Sequence, residues 1–141
     1  MDMRPWQVPR FGLMAAAVAC GMLLQAGARG GDVPVLAGVG DQSRVDAAAA
    51  GGTILVVWQD DSASDLDIRA ARVDAAGTVL GAGAFDICTA AGDQSWPAVA
   101  SDGTGFLVAW QDERSGTAEV WAARVDSDGN VAEADGFQVS S

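Results

Sequence analysis

The chain has 141 residues, with 19 acidic against 8 basic side chains, a formal charge of −11, and neither His nor Lys. That balance excludes nucleic acid as a partner, because neutralising phosphates needs cations, and excludes anionic membrane surfaces on the same ground. Without His there is no His-based triad, general base or metal ligand, and without Tyr there is no sialidase-like nucleophile.

Residues 1–28 read as an export signal. Arg4 and Arg10 precede the apolar run from Phe11 to Leu24, and Ala26-Gly27-Ala28 supplies a small-x-small cleavage pattern. The run is too short to span a bilayer comfortably as a helix. The expected location is secreted, periplasmic or cell-envelope, with no membrane span once the signal is removed. A lipid anchor on Cys20 is the minor alternative, since Ala17-Val18-Ala19-Cys20 loosely resembles a lipobox without its usual leucine. Cleavage removes Arg4, Arg10 and Asp2, leaving the mature chain about one unit more negative. Residues 29–40 form a Gly-rich lead carrying an orphan outer strand, Val33 to Val39.

From Asp41 onward the chain is organised by an ungapped repeat with an offset of 52 residues. Thr53-Ile54-Leu55-Val56-Val57-Trp58-Gln59-Asp60 returns as Gly105 to Asp112, again ending in Trp-Gln-Asp. Ala70 to Asp74 returns as Ala122 to Asp126, and Phe85-Asp86-Ile87 as Phe137-Gln138-Val139. The units are residues 41–93 and 94–141. Side chains alternate sides along a strand, so Ile54, Val56 and Trp58 oppose Leu55 and Val57. This strand is apolar on both sides and must be covered on both. Strands are expected at Val45–Ala48 and Pro97–Ala100, at 53–60 and 105–112, at Leu66–Val73 and Glu119–Val125, and an outer one from Val79 through Phe85–Ile87. Asp74-Ala75-Ala76-Gly77 and Asp126-Ser127-Asp128-Gly129 read as type I hairpin turns with a glycine bulge. The expected fold is all-β: two four-stranded antiparallel propeller-type blades, a partial propeller. A β-sandwich is the alternative, and would show solvated outer faces.

Carboxylates carry what chemistry remains. Two acidic loops follow the Trp strands, from Asp60 to Asp67 and from Asp112 to Glu119. They could hold Ca²⁺, which takes oxygen ligands, or serve as acid and base in glycan hydrolysis. Solvated hairpin loops are the plainer reading, and no cofactor is expected. Asp126-Ser127-Asp128-Gly129-Asn130 is a turn rather than a calcium loop, its Gly standing fourth instead of sixth. Trp58 and Trp110 recur at equivalent positions and belong to the core. Trp96 stands where the first unit has Arg44, and Trp121 where it has Arg69. These two, with Asp60 and Asp112, are the candidate ligand-binding residues. Cys88 is a small residue expected half-buried on an outer strand, with no His or Lys in the chain to activate it.

Pro97-Ala98-Val99-Ala100, Gly105 to Asp112, Val120 to Asp126 and Gly129 together resemble the repeats, about 50 residues long, of exported bacterial proteins with propeller-like folds. The likeness covers residues 41–141. It implies many tandem copies and seldom a defined activity; this sequence shows two. Two blades leave two open apolar faces of about 350 Å² each, and closed propellers hold about 4–8 blades. Self-association is therefore expected, with three copies making a six-bladed ring. The functional expectation is a non-catalytic exported binding or scaffold module that recognises a glycan or an envelope protein. The alternatives are a fragment of a longer repeat protein and a carboxylate-dependent glycan hydrolase.

Overall fold

The computed structural model describes residues 40–140. The expected signal segment, Cys20 and the expected orphan strand Val33 to Val39 lie outside the described residues. Those described fold into eight strands and no helix. β1 (Gln42–Ala50), β2 (Thr53–Asp60), β3 (Asp67–Asp74) and β4 (Phe85–Cys88) form one antiparallel sheet in the order β1-β2-β3-β4. β5 (Gln94–Ser101), β6 (Gly105–Asp112), β7 (Glu119–Asp126) and β8 (Phe137–Ser140) form the second in the same order. The β2–β3 pairing Trp58↔Arg69 has its β6–β7 counterpart in Trp110↔Trp121, and Val57↔Ala70 in Ala109↔Ala122.

Local chemistry accounts for the hairpins. Asp74 Oδ1 accepts the backbone N–H groups of Ala76 and Thr78, both at 2.8 Å, and Gly77 N donates to Asp74 O at 3.0 Å. The Asp126 turn repeats this with Asp128, Asn130 and Gly129. Gly77 and Gly129 sit at φ 87° and 89°, a conformation that costs a side chain-bearing residue about 1 kcal/mol or more.

Two expectations need correction. β1 and β5 are longer than the four-residue strands predicted at Val45–Ala48 and Pro97–Ala100. Each resumes its ladder after a bulge, between Ser43 and Asp46 and between Ser95 and Ala98. The outer strand does not begin at Val79, which makes only an isolated bridge to Val73. The glycines between Leu80 and Phe85 supply positive φ at Gly81 and Gly83 and interrupt the ladder.

The core lies between the sheets, and its composition shows how they meet. Leu55, Val57, Ile68 and Ala70 from one side of the first sheet pack with Phe106, Val108, Trp110, Ala123 and Val125 from the second. In repeat terms these are opposite sides: the residue equivalent to Leu55 is Leu107, which points away from the interface. The sheets thus stack front to back rather than presenting like faces to one another. Leu55 is 0% exposed where Leu107 is 45% exposed.

This arrangement makes a paired prediction. Leu55→Ala should cost about 3 kcal/mol by urea unfolding, as for a large-to-small change in a packed core. Leu107→Ala, at the same repeat position, should cost about 1 kcal/mol or less in the monomeric chain, because 45% of the residue is exposed there.

Candidate functional site

Each Trp-Gln-Asp strand ends by turning its carboxylate back under its own tryptophan. Trp110 and Asp112 lie two apart on β6 and therefore share a side. Trp110 Nε1 donates to Asp112 Oδ2 at 2.9 Å, and Arg114 closes a fork on the same carboxylate through Nε at 2.9 Å and Nη2 at 2.7 Å. Arg114 N adds a fourth bond at 3.0 Å. In the first sheet Trp58 Nε1 donates to Asp60 at 3.3 Å, and Ser62 supplies its backbone N–H at 3.0 Å and its hydroxyl. Gln42 Nε2 completes that set at 3.5 Å.

Asp60 and Asp112 are 1% and 0% exposed, so the two candidate carboxylates are interior groups. Burial raises the pKa of Asp112, but the bonds from Arg114 and Trp110 outweigh it and hold the carboxyl below its ordinary value. In Asp60 burial is likewise outweighed, here by the Ser62 hydroxyl and N–H and by Trp58. Both are charged, bonded and enclosed, and their oxygens tie the loop to the indole instead of meeting a substrate.

The two tryptophans without a repeat counterpart are each stacked by an arginine. The Arg44 guanidinium carbon lies 3.5 Å from the Trp96 ring centroid, and that of Arg114 lies 3.6 Å from Trp121. Such contacts are worth about 0.5–2 kcal/mol. Their surroundings differ. Trp121 packs against the core between the sheets. Trp96 is 55% exposed, with φ 56° on the bulge of β5, as Arg44 has φ 55° on that of β1. Trp96 borders a shallow concavity of about 300 Å³ with Ala98, Ala109, Gln111, Glu119 and Val120. A larger one, about 900 Å³, lies beside Leu107 and Arg124 at the other end of the same sheet.

Of the four predicted site residues, therefore, Asp112 and Asp60 are built into the interior, Trp121 is partly buried against the core, and Trp96 is on the surface. Sequence reasoning missed Arg114 and the bulges. Pro97 was the available signal for the second bulge, since a proline in a strand is confined to edges and bulges. For Arg114, its place two residues after Asp112 was the available signal for their ion pair; its contacts to Cys88 Sγ across the interface, at 3.2 Å, and to Asp135 O in the β7–β8 connection of its own sheet, at 2.8 Å, carried none.

Cys88 departs from expectation twice. It is fully buried rather than half-buried, because the Asp135 segment of the second sheet folds over it. It also has a cationic neighbour, Arg114. Desolvation nonetheless pushes the thiol up to about 11, so it is protonated at neutral pH and a poor nucleophile.

Comparison of the chain with protein-family models, with curated proteins and with solved structures gave no match.

The carboxylate corners set the acid response. A depressed folded-state pKa stabilises the fold above the ordinary carboxylate value of 3.8 and ceases to do so as pH falls through the folded value. Asp102, held at about 2 by the Gly105 and Thr104 bonds, acts in the same direction. Urea unfolding of the wild type should weaken progressively as pH falls from about 4 to about 2. Asp112→Asn should cost about 2–3 kcal/mol at pH 7 by stranding the Arg114 charge, and should show a flatter loss across the acid window.

Proposed function

We propose that this chain is an exported, non-catalytic binding or scaffold module whose two sheets are propeller-type blades, and that it recognises a protein surface. The observation that carries the reading is the front-to-back stacking: the Leu55 side of one sheet covers the Phe106 side of the next. Sheets stacked in that sense form an array with two unlike ends, as propeller blades do, whereas a sandwich buries like faces and ends the stack.

The recognition surface in this reading is the outer side of the second sheet. Leu107, Val120 and Phe137 are exposed there, with Trp96 at its edge. Contiguous apolar surface rimmed by polar groups marks association sites. Buried Asp60, hydrogen-bonded by Trp58 and Ser62, and buried Asp112, paired with Arg114, support a structural rather than a hydrolytic use of the acidic loops.

A benzoylphenylalanine side chain placed at position 107 in the producing cell should give photo-crosslinked adducts. The same group at position 76, on the exposed hairpin turn, should give none. Absence of adducts from position 107 would remove the reading. Mass spectrometry of the exported fraction should find a chain beginning after Ala28; an uncleaved chain retained inside the cell would refute export.

Exposed Trp96 beside Gln111 and Glu119 favours a second reading, saccharide stacking. A glycan-array hit abolished by Trp96→Ala and unaffected by Leu107→Glu would establish it in place of the first.

A further inference from the structure

The outer face of the second sheet repeats most of a face whose cover is already visible in this molecule, with Ala109 where that face has the fully buried Val57. Leu107, Gln111, Ala122, Arg124 and Phe137 are the same residue types as Leu55, Gln59, Ala70, Arg72 and Phe85, and Val120 stands for Ile68. Leu55 and Ile68 are fully buried by the second sheet, while Leu107 and Val120 are 45% and 42% exposed. The covering surface is duplicated as well. Val56, Trp58, Ala71 and Val73 repeat Val108, Trp110, Ala123 and Val125, with Ile54 in place of Phe106. In the second sheet Phe106, Val108 and Val125 are buried; in the first, Ile54, Val56 and Val73 are partly exposed.

From this we infer that the Leu107 face of one chain docks on the Ile54 face of a second copy, so that chains stack head to tail in the register of the internal contact. The inference rests on the front-to-back stacking of the proposed function and names the partner as the chain itself.

The polar contacts of the internal interface extend the argument beyond apolar likeness. Across it, Trp96 N donates to Gln59 Oε1 at 3.2 Å, Leu66 N to Asp93 Oδ1 at 3.0 Å, and Gln94 N to Leu66 O at 2.7 Å. Arg72 Nη1 donates to Ser127 O at 2.9 Å. The outer faces hold the counterpart of every one of these groups. Gln111, Ala118 and Arg124 stand on one face; Arg44, Asp41, Gln42 and Ala75 on the other. Backbone atoms form several of these bonds, so the change from Ser127 to Ala75, or from Leu66 to Ala118, leaves the donors and acceptors intact. Both surface concavities, one beside Trp96 and one beside Leu107, lie on this same face. Not every internal contact has a counterpart: Asp46 Oδ2 accepts from Val99 N at 2.9 Å, Thr89 N donates to Asp135 Oδ1 at 3.0 Å and Arg114 Nη2 to Cys88 Sγ at 3.2 Å, while Ala98, Gly83 and Ser62 occupy the positions equivalent to Asp46, Asp135 and Arg114.

A contact between unlike faces is heterologous, and it closes when the rotation per unit sums to a full turn. With two sheets per chain, a closed ring of about four to eight sheets needs about two to four chains.

The test is the mass of the purified full chain in solution by light scattering, with single-face variants. The wild type should run as a closed assembly of about two to four chains. Leu107→Glu and Ile54→Glu should each be monomeric with unchanged far-UV circular dichroism. Mixed in equal amounts, these two should form a one-to-one pair and nothing larger, since each keeps the face the other lacks. A monomeric wild type, assembly that survives both variants, or assembly lost in Leu107→Glu and kept in Ile54→Glu would each overturn the inference. If the monomer keeps the blue-shifted emission of buried Trp58 and Trp110, the docking alone fails and the stacking reading stands. If that emission is water-like, the stacking reading fails with it.

Discussion

The contact between the Leu55 side of the first sheet and the Trp110 side of the second is what the rest of this structure depends on. Neither sheet covers both of its own faces, and an isolated four-stranded sheet with two apolar sides has no stable solution in water. Stacking removes one face of each. Each side chain of the size of Leu, Val or Ile buried there contributes about 1.5–3 kcal/mol relative to exposure. Leu55, Val57, Ile68, Val108 and Trp110 all lie in that cluster. The same contact folds the Asp135 segment over Cys88 and brings Arg114 to the thiol, so local features of the second sheet are consequences of it.

The Trp–Asp corner is the second constraint, and it works in both sheets. A buried indole N–H needs an acceptor, and a buried carboxylate needs donors. Placing them two residues apart on one strand lets each satisfy the other and anchors the loop that follows. The second sheet does this more strongly. Arg114 binds Asp112 through two nitrogens and also covers Trp121, where the first sheet has Ser62 and Arg69. The unpaired tryptophans therefore came with their arginines: Trp121 with Arg114, and Trp96 with Arg44 across the bulges. Gly136 completes the corner, since a Cβ there would lie 2.5 Å from the Trp110 ring.

Function follows from which faces remain. Asp60 and Asp112 were attractive as a carboxylate pair while they were read as members of solvated loops. Enclosed and bonded by indole, hydroxyl or guanidinium, they do structural work. The apolar outer side of the second sheet remains as the surface with most to gain from a partner, and its residues match a face that already has one.

Much of the fold was legible because period-2 alternation and a constant offset are properties of the chain alone. The course of β2, β3, β6 and β7, the Asp74 and Asp126 turns, and the double-sided apolar character of β2 and β6 all follow from backbone geometry and side-chain polarity at fixed spacing. The interior place of Trp58 and Trp110 follows from their recurrence. Other features were decided only when the sheets met. That Leu55 is buried and Leu107 exposed cannot be read from two identical residues in nearly identical segments, because burial depends on what lies across the interface. The same holds for Cys88, enclosed while its counterpart Ser140 is exposed. Local sequence specifies a strand and its two faces; the order of stacking selects which face is core and which is surface.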